Sequence, residues 1–127
     1  MSVNNIFRVP GTEFPAGRRT RVIAGPGAPV EPDGFVMGHV VIYPGGEVPA
    51  HAHSQEEVYV ILAGNGMVEL DGDARPVEAG DYVHIRPDSR HRLWNDSADN
   101  NMIMLFCYAP KGVVAHWREE LERGGGQ

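Results

Sequence analysis

In the stretch HAHSQEE, His51 and His53 are separated by one residue, and Glu56 and Glu57 follow just before the apolar run VYVIL. Alternate residues of a strand face the same way, so the two imidazoles share a face if the segment is extended. By the same parity Glu57, Tyr59 and Ile61 lie on one face of the next strand, and Glu56, Val58 and Val60 on the other. Two imidazoles and a carboxylate from a neighbouring strand can converge on one point. His91, in RPDSRHRLWN, is a candidate for a further nitrogen. Neutral imidazoles with a carboxylate make a mixed nitrogen and oxygen site suited to a divalent Fe, Mn, Ni, Co, Cu or Zn ion. The competing reading is a solvated polar strand face, which is where parity puts Glu56.

Strands must position these groups, and strand signals are frequent. RTRVIAG, GFVMGHVVIY, EVYVILAG, GMVEL, ARPVEAG, DYVHIRP, HRLWN and NMIMLFCYAP follow one another between Gly, Pro, Asn and Asp punctuation. The 16 glycines and 10 prolines are spread along the chain, which favours short strands and turns over a disordered tract. This pattern predicts an all-β sandwich or small barrel. VVAHWREELER near the end is the exception. Val114, Trp117 and Leu121 have helical spacing there, with Glu119, Glu120, Glu122 and Arg123 on a polar side, so one short C-terminal helix is expected.

The 127 residues are expected to form a single domain, 1–127, with one sizeable core. A formal net charge of -6 argues against a nucleic-acid partner, which needs a basic surface. No apolar run approaches the roughly 20 residues that span a bilayer. The N-terminus MSVNNIFRVPG lacks a secretory pattern, and the lone Cys107 rules out an internal disulfide. A cytoplasmic protein is expected.

The histidines also sit in a larger pattern. Gly45, His51, His53, Glu57 and Gly64 fill every fixed position of G(X)5HXH(X)3,4E(X)6G, the first motif of the cupin superfamily. Gly80, His91 and Asn95 match G(X)5PXG(X)2H(X)3N, the second motif, with Arg86 at the proline position, Pro87 one place late and Asp88 in place of the glycine. Fifteen residues separate Gly64 from Gly80, as in small single-domain bacterial cupins. The chain therefore resembles that superfamily. The resemblance implies a jelly-roll barrel of six to eight antiparallel strands. It also implies one divalent transition metal ion held by His51, His53, Glu57 and His91. A site without sulfur ligands leans toward catalysis or ligand binding rather than structure.

Cupins include dioxygenases, decarboxylases, isomerases, lyases, cyclases and non-enzymatic binding proteins, and fold alone does not choose among them. The first expectation is a dioxygenase-type oxidoreductase acting on a small oxygen-chelating molecule. The alternatives are a non-redox cyclase, isomerase or lyase, and a non-catalytic binding module. Tyr59, on the face of Glu57, and Cys107, if it faces the barrel interior, are the candidate catalytic residues. Val40 and Leu105 are expected as apolar pocket walls. Asn95 is expected to hold a turn, and His39, His84 and His116 to be structural or superficial. Met37, Met67, Met102 and Met104 look like core filler. Arg18, Arg19 and Arg21 read as a solvated strand edge, with contact to an acidic substrate or a partner subunit as the other reading. The apolar parity of Val58, Val60 and Leu62 predicts a face covered by a second copy, hence a homodimer, and the resemblance adds exchange of residues 3–9.

Overall fold

The structure, a computed structural model, describes residues 1–111 and Glu120. Ten strands run through the described residues: β1 (Thr12–Phe14), β2 (Arg18–Ala24), β3 (Val36–Ile42), β4 (Glu47–His51), β5 (Glu56–Ala63), β6 (Asn65–Leu70), β7 (Asp73–Glu78), β8 (Tyr82–Ile85), β9 (His91–Trp94) and β10 (Met102–Ala109). They form two antiparallel sheets, one ordered β1-β2-β3-β10-β5-β8 and the other β4-β9-β6-β7. This is an all-β jelly-roll barrel. The predicted C-terminal helix lies outside the described residues apart from Glu120, as does His116.

Eight of the ten strands coincide with the runs read from the sequence. The other two are β1, of three residues, and β4, whose EVPAH carries a proline and little apolar signal. Proline is tolerated there because β4 is an edge strand that pairs with β9 alone.

The core lies between the sheets. Val36, Val40 and Ile42 of β3, Tyr59 and Ile61 of β5, and Met102, Met104, Phe106 and Tyr108 of β10 meet Val48, Val68, Val77 and Leu93 from the facing sheet. Burying a side chain of this size contributes about 2 kcal/mol of transfer free energy. Alternation along β10 is strict: its even-numbered residues are buried and Ile103, Leu105 and Cys107 are only partly so. Leu105 and Cys107 therefore lie on the outer face and correct the expectation that they line the interior. Gly38 leaves room for the ring of its register partner Phe106 on the adjacent β10, since a Cβ there would stand 2.3 Å from that ring. Met102 and Met104 are core residues, whereas Met37 and Met67 are half-buried.

The arginine run divides by the same alternation. Arg19 lies outside and pairs with Glu13, and Arg21 donates to the Val9 carbonyl. Arg18 turns inward and is 1% exposed, so the solvated-edge reading fails for this residue. Its strand begins where Gly17 abuts Gly46; a Cβ on Gly46 would sit 2.0 Å from the Gly17 carbonyl oxygen. That close approach brings the start of β2 against the start of β4. Arg18 Nη1 accordingly donates to the Glu47 carbonyl at 3.1 Å.

Candidate metal centre

His51 ends β4, His91 begins β9, and the two are register partners across that strand pair. Glu57 reaches the same space from β5 in the opposite sheet. His53 belongs to no strand. The link after β4 turns it toward the others, so it reaches them by a route other than the shared strand face. The link is held at its back, where Asp88 N–H donates to the His53 carbonyl at 2.8 Å. Asp88 has φ 65, a left-handed conformation that glycine adopts freely and aspartate tolerates. This accounts for the motif's preference for glycine and for the turn surviving without one.

The potential ligand atoms of His51, His53, Glu57 and His91 all lie within 4.8 Å of one another. His53 Nε2 is 3.1 Å and His91 Nε2 is 3.3 Å from Glu57 Oε1. Each imidazole is fixed from behind by a carbonyl two residues away. His51 Nδ1 donates to Pro49 at 2.8 Å, His53 Nδ1 to Gln55 at 3.0 Å and His91 Nδ1 to Ser89 at 2.8 Å. A proton held on every Nδ1 leaves each Nε2 lone pair aimed into the cluster. His91 Nε2 is buried and has no hydrogen-bond partner. A buried orphan acceptor costs about 1–3 kcal/mol, and a cation at the centre of the cluster would satisfy it. The donor set, its tautomers and its orphan nitrogen all fit a divalent transition metal.

Electrostatics follow from burial and crowding. Burial, with the neighbouring His91, pushes His51 down to about 4. Glu57 is pushed up by burial, but the imidazoles of His53 and His91 outweigh this and hold it below the ordinary carboxylate value. The hydrogen bond to Glu57 raises His53 against its own burial. The carboxylate is therefore ionised at neutral pH, as a ligand must be.

A cavity beside the cluster is lined by Arg18, Thr20, Val40, Val48, Met104, Phe106, Tyr59 and Tyr108 together with His51, His53 and Glu57. Tyr59, placed by strand parity on the face of Glu57, and Val40, expected as an apolar wall, both line it. Burial and the Glu57 charge raise Tyr59 well above its ordinary value and push Tyr108 up to about 12, so both keep their protons. Tyr108 was not read as a pocket residue from the sequence, and for Arg18 contact with an acidic substrate was only the alternative to a solvated edge. Tyr108 shares the inner face of Met104 and Phe106, but apolar residues on both faces of β10 hide that parity in the sequence, and nothing in RRTR distinguishes Arg18 from its neighbours. Cys107 does not join the cluster; it pairs in register with Met37 and Val58.

The remaining candidates are structural. Asn95 is buried, and its amide donates to the carbonyls of Ile42 and Asn100 while its oxygen accepts from Ser97 N–H. Glu56 points outward to His84. His39 is buried on the outer face, under an edge-on contact with Phe7.

The family model for the cupin domain matches residues 38–108, which include all four clustered residues and most of both sheets. The chain belongs to the cupin family. Among curated cupin relatives, it is 29% identical over 79 residues to gentisate 1,2 dioxygenase 1 from Aquipseudomonas alcaligenes, covering 54% of this chain and 23% of that protein. It is 36% identical over 84 residues to polyketide synthase CurC from Streptomyces cyaneus, covering 63% of this chain and 54% of that one. The chain thus spans less than two thirds of the length of these relatives. Among solved structures, a Cupin 2 conserved barrel domain protein from Salinispora arenicola superposes with a TM-score of 0.70 at 24% identity. That match covers 99% of this chain and 97% of that one, and it supports the fold. No helix of the described residues is long and apolar enough to cross a membrane.

Proposed function

We propose that this cupin holds one divalent transition metal ion on His51, His53, Glu57 and His91 and acts as a dioxygenase-type oxidoreductase on a small oxygen-chelating molecule. The observation that carries the metal reading is the convergence of three imidazoles, each with its Nδ1 on a backbone carbonyl, on the one carboxylate of Glu57. The bound ion would supply Lewis acidity toward a chelating oxygen and, if redox-active, access to dioxygen. The likeness to a gentisate dioxygenase over the barrel supports the redox choice.

The chain's own residues supply the rest. Tyr59 and Tyr108, both protonated, offer hydroxyl donors to an anionic substrate oxygen. Val40, Val48, Met104 and Phe106 keep water from the reacting groups and favour a compact, partly apolar substrate. Cys107 has no part in this reading, since it lies on the other side of β10. The reading includes a second copy of the chain over the outer face of the six-stranded sheet, where Val58 and Val60 are half-buried and Leu62 is 47% exposed.

The test loads metal-stripped protein with Fe(II), Mn(II) or Zn(II) and offers hydroxy acids, diketones and phenolics with and without oxygen. Turnover that requires both a redox metal and oxygen is the expected result. Anaerobic turnover with Zn(II) would replace it with cyclase, isomerase or lyase chemistry. Ligand binding without turnover under any metal, undiminished by Glu57→Ala, would leave a binding module.

A further inference from the structure

Arg18 is a charged side chain sealed inside the barrel, 1% exposed, on the wall of the cavity that His51, His53 and Glu57 also line. Taking a guanidinium out of water costs several kcal/mol unless an anion and good hydrogen bonds compensate. The ten strands provide little of that. They offer the Glu47 carbonyl at 3.1 Å and the face of Phe14, 4.1 Å from the guanidinium carbon, and both are uncharged. Among the described residues, the ion-pair partner of Arg18 is Glu120 alone. Its carboxylate meets the guanidinium two-pronged, Oε2 to Nη1 at 2.5 Å and Oε1 to Nη2 at 2.7 Å. Glu120 lies 102 residues away in sequence and belongs to none of the strands that build the barrel.

We infer that Arg18 is the seat for a substrate carboxylate, and that Glu120 fills it as an internal stand-in until the substrate displaces it. The planar fork of an arginine accepts any carboxylate in this geometry, whichever molecule carries it. The free space in the cavity is about 20 Å3, the room of about one water molecule. A larger ligand must therefore displace something, and the strand residues around it are packed into the core. Charge points the same way. A divalent ion outweighs Glu57 by one unit, and Arg18, once Glu120 leaves, adds a second positive unit. The interior then favours a dianion: a small chelator that places one anionic oxygen on the ion and a second carboxylate on Arg18. The inference rests on the proposed metal reading for the chelating end of the ligand and is independent of it for the carboxylate end.

A purely structural role for the Arg18–Glu120 pair makes the opposite prediction, and binding measurements separate the two. The full chain, loaded with Zn(II), is titrated calorimetrically with malonate and salicylate, which carry carboxylates, and with acetylacetone, which chelates without one. Glu120→Gln removes an intramolecular competitor whose effective concentration is of millimolar order. It should tighten malonate and salicylate binding by about tenfold, equivalent to about 1.4 kcal/mol, and leave acetylacetone unchanged. Arg18→Gln should weaken the two carboxylates by about tenfold or more at unchanged metal content. Arg18→Lys, which keeps the charge but loses the fork, should fall between and serves if Arg18→Gln does not fold. A Glu120→Gln protein that is folded and gains no carboxylate affinity would overturn the inference. If the wild-type protein takes up no metal, the metal reading fails, and malonate is titrated into metal-free Glu120→Gln protein instead. Saturable binding that weakens in Arg18→Lys/Glu120→Gln would keep the carboxylate seat, and no binding to Glu120→Gln would end it.

Discussion

His51 and His91 are register partners across β4 and β9, and their ring centroids stand 4.0 Å apart. Strand pairing and the carbonyls behind the two rings hold them at that distance, closer than two imidazolium ions would tolerate. Burial, followed by His91, keeps His51 down to about 4. A histidine depressed in the folded state binds fewer protons there than in the unfolded chain. Its contribution to stability is present above the unfolded value near 6.5 and is lost as pH falls toward 4.

Metal-stripped protein should therefore lose about 2 kcal/mol between pH 7 and pH 5 through His51 alone. His53, raised by Glu57, acts in the opposite sense and loses its contribution as pH rises through its folded value. Urea unfolding at the two pH values, compared between wild type and His51→Gln, isolates the first effect. An equally steep acid dependence in His51→Gln would show that His51 is not its source.

Metal should be a stabilising ligand. At about a hundredfold its dissociation constant, a bound ion adds about 3 kcal/mol to stability, and a chelator should remove that gain. His53→Ala/His91→Ala should bind no metal and show no chelator effect. Elemental analysis and thermal melts with and without chelator read both, and full occupancy in the double variant would refute the ligand assignment.

The turn at Asp88 offers a test of the motif. Asp88→Gly should fold and bind metal as well as wild type, because the left-handed φ suits glycine better than any other residue. Asp88→Val forces a β-branched residue into that region and should cost about 1–2 kcal/mol. Denaturant melts of the two variants should differ in midpoint and share a slope. Equal midpoints would mean that the turn adopts another conformation in solution.

Light scattering should give about twice the 13.9 kDa chain mass at micromolar concentration. Val60→Glu should shift the protein toward monomer by placing a charge on the outer face of β5. A monomeric wild-type protein would remove the homodimer reading.

Most of the barrel is legible in the sequence because its strands are half-buried. Alternation between apolar and polar residues marks both the strand and its inner face, and it fixed Glu57 and Tyr59 correctly. It fails where a strand is short or polar. β1 has three residues, and β4 carries a proline and ends in His51. His53 illustrates a subtler failure: the spacing of the two histidines resembles a strand, yet the second is presented by a turn. The placement of Cys107 depended on parity along β10, which the sequence leaves open because apolar residues fill both faces of that central strand. Arg18 was left between a solvated edge and a substrate contact, because the parity of β2 puts it inward while its ion-pair partner, Glu120, lies 102 residues away in sequence, where a local pattern carries no trace of it.

The three carbonyls behind the imidazoles have a consequence for how the ion is chosen. A pocket that closes around its metal can reject a wrong one by refusing to close, whereas rings already locked in place accept any ion of suitable size. Affinity then follows the ordinary order for nitrogen and oxygen donors, which favours copper and nickel over iron and manganese whatever the chemistry requires. The metal such a site took would then be decided by supply: by which ion is free, and at what level, where the chain folds. A protein overproduced in metal-rich medium would carry the cation of its surroundings, so its metal content should track the growth medium.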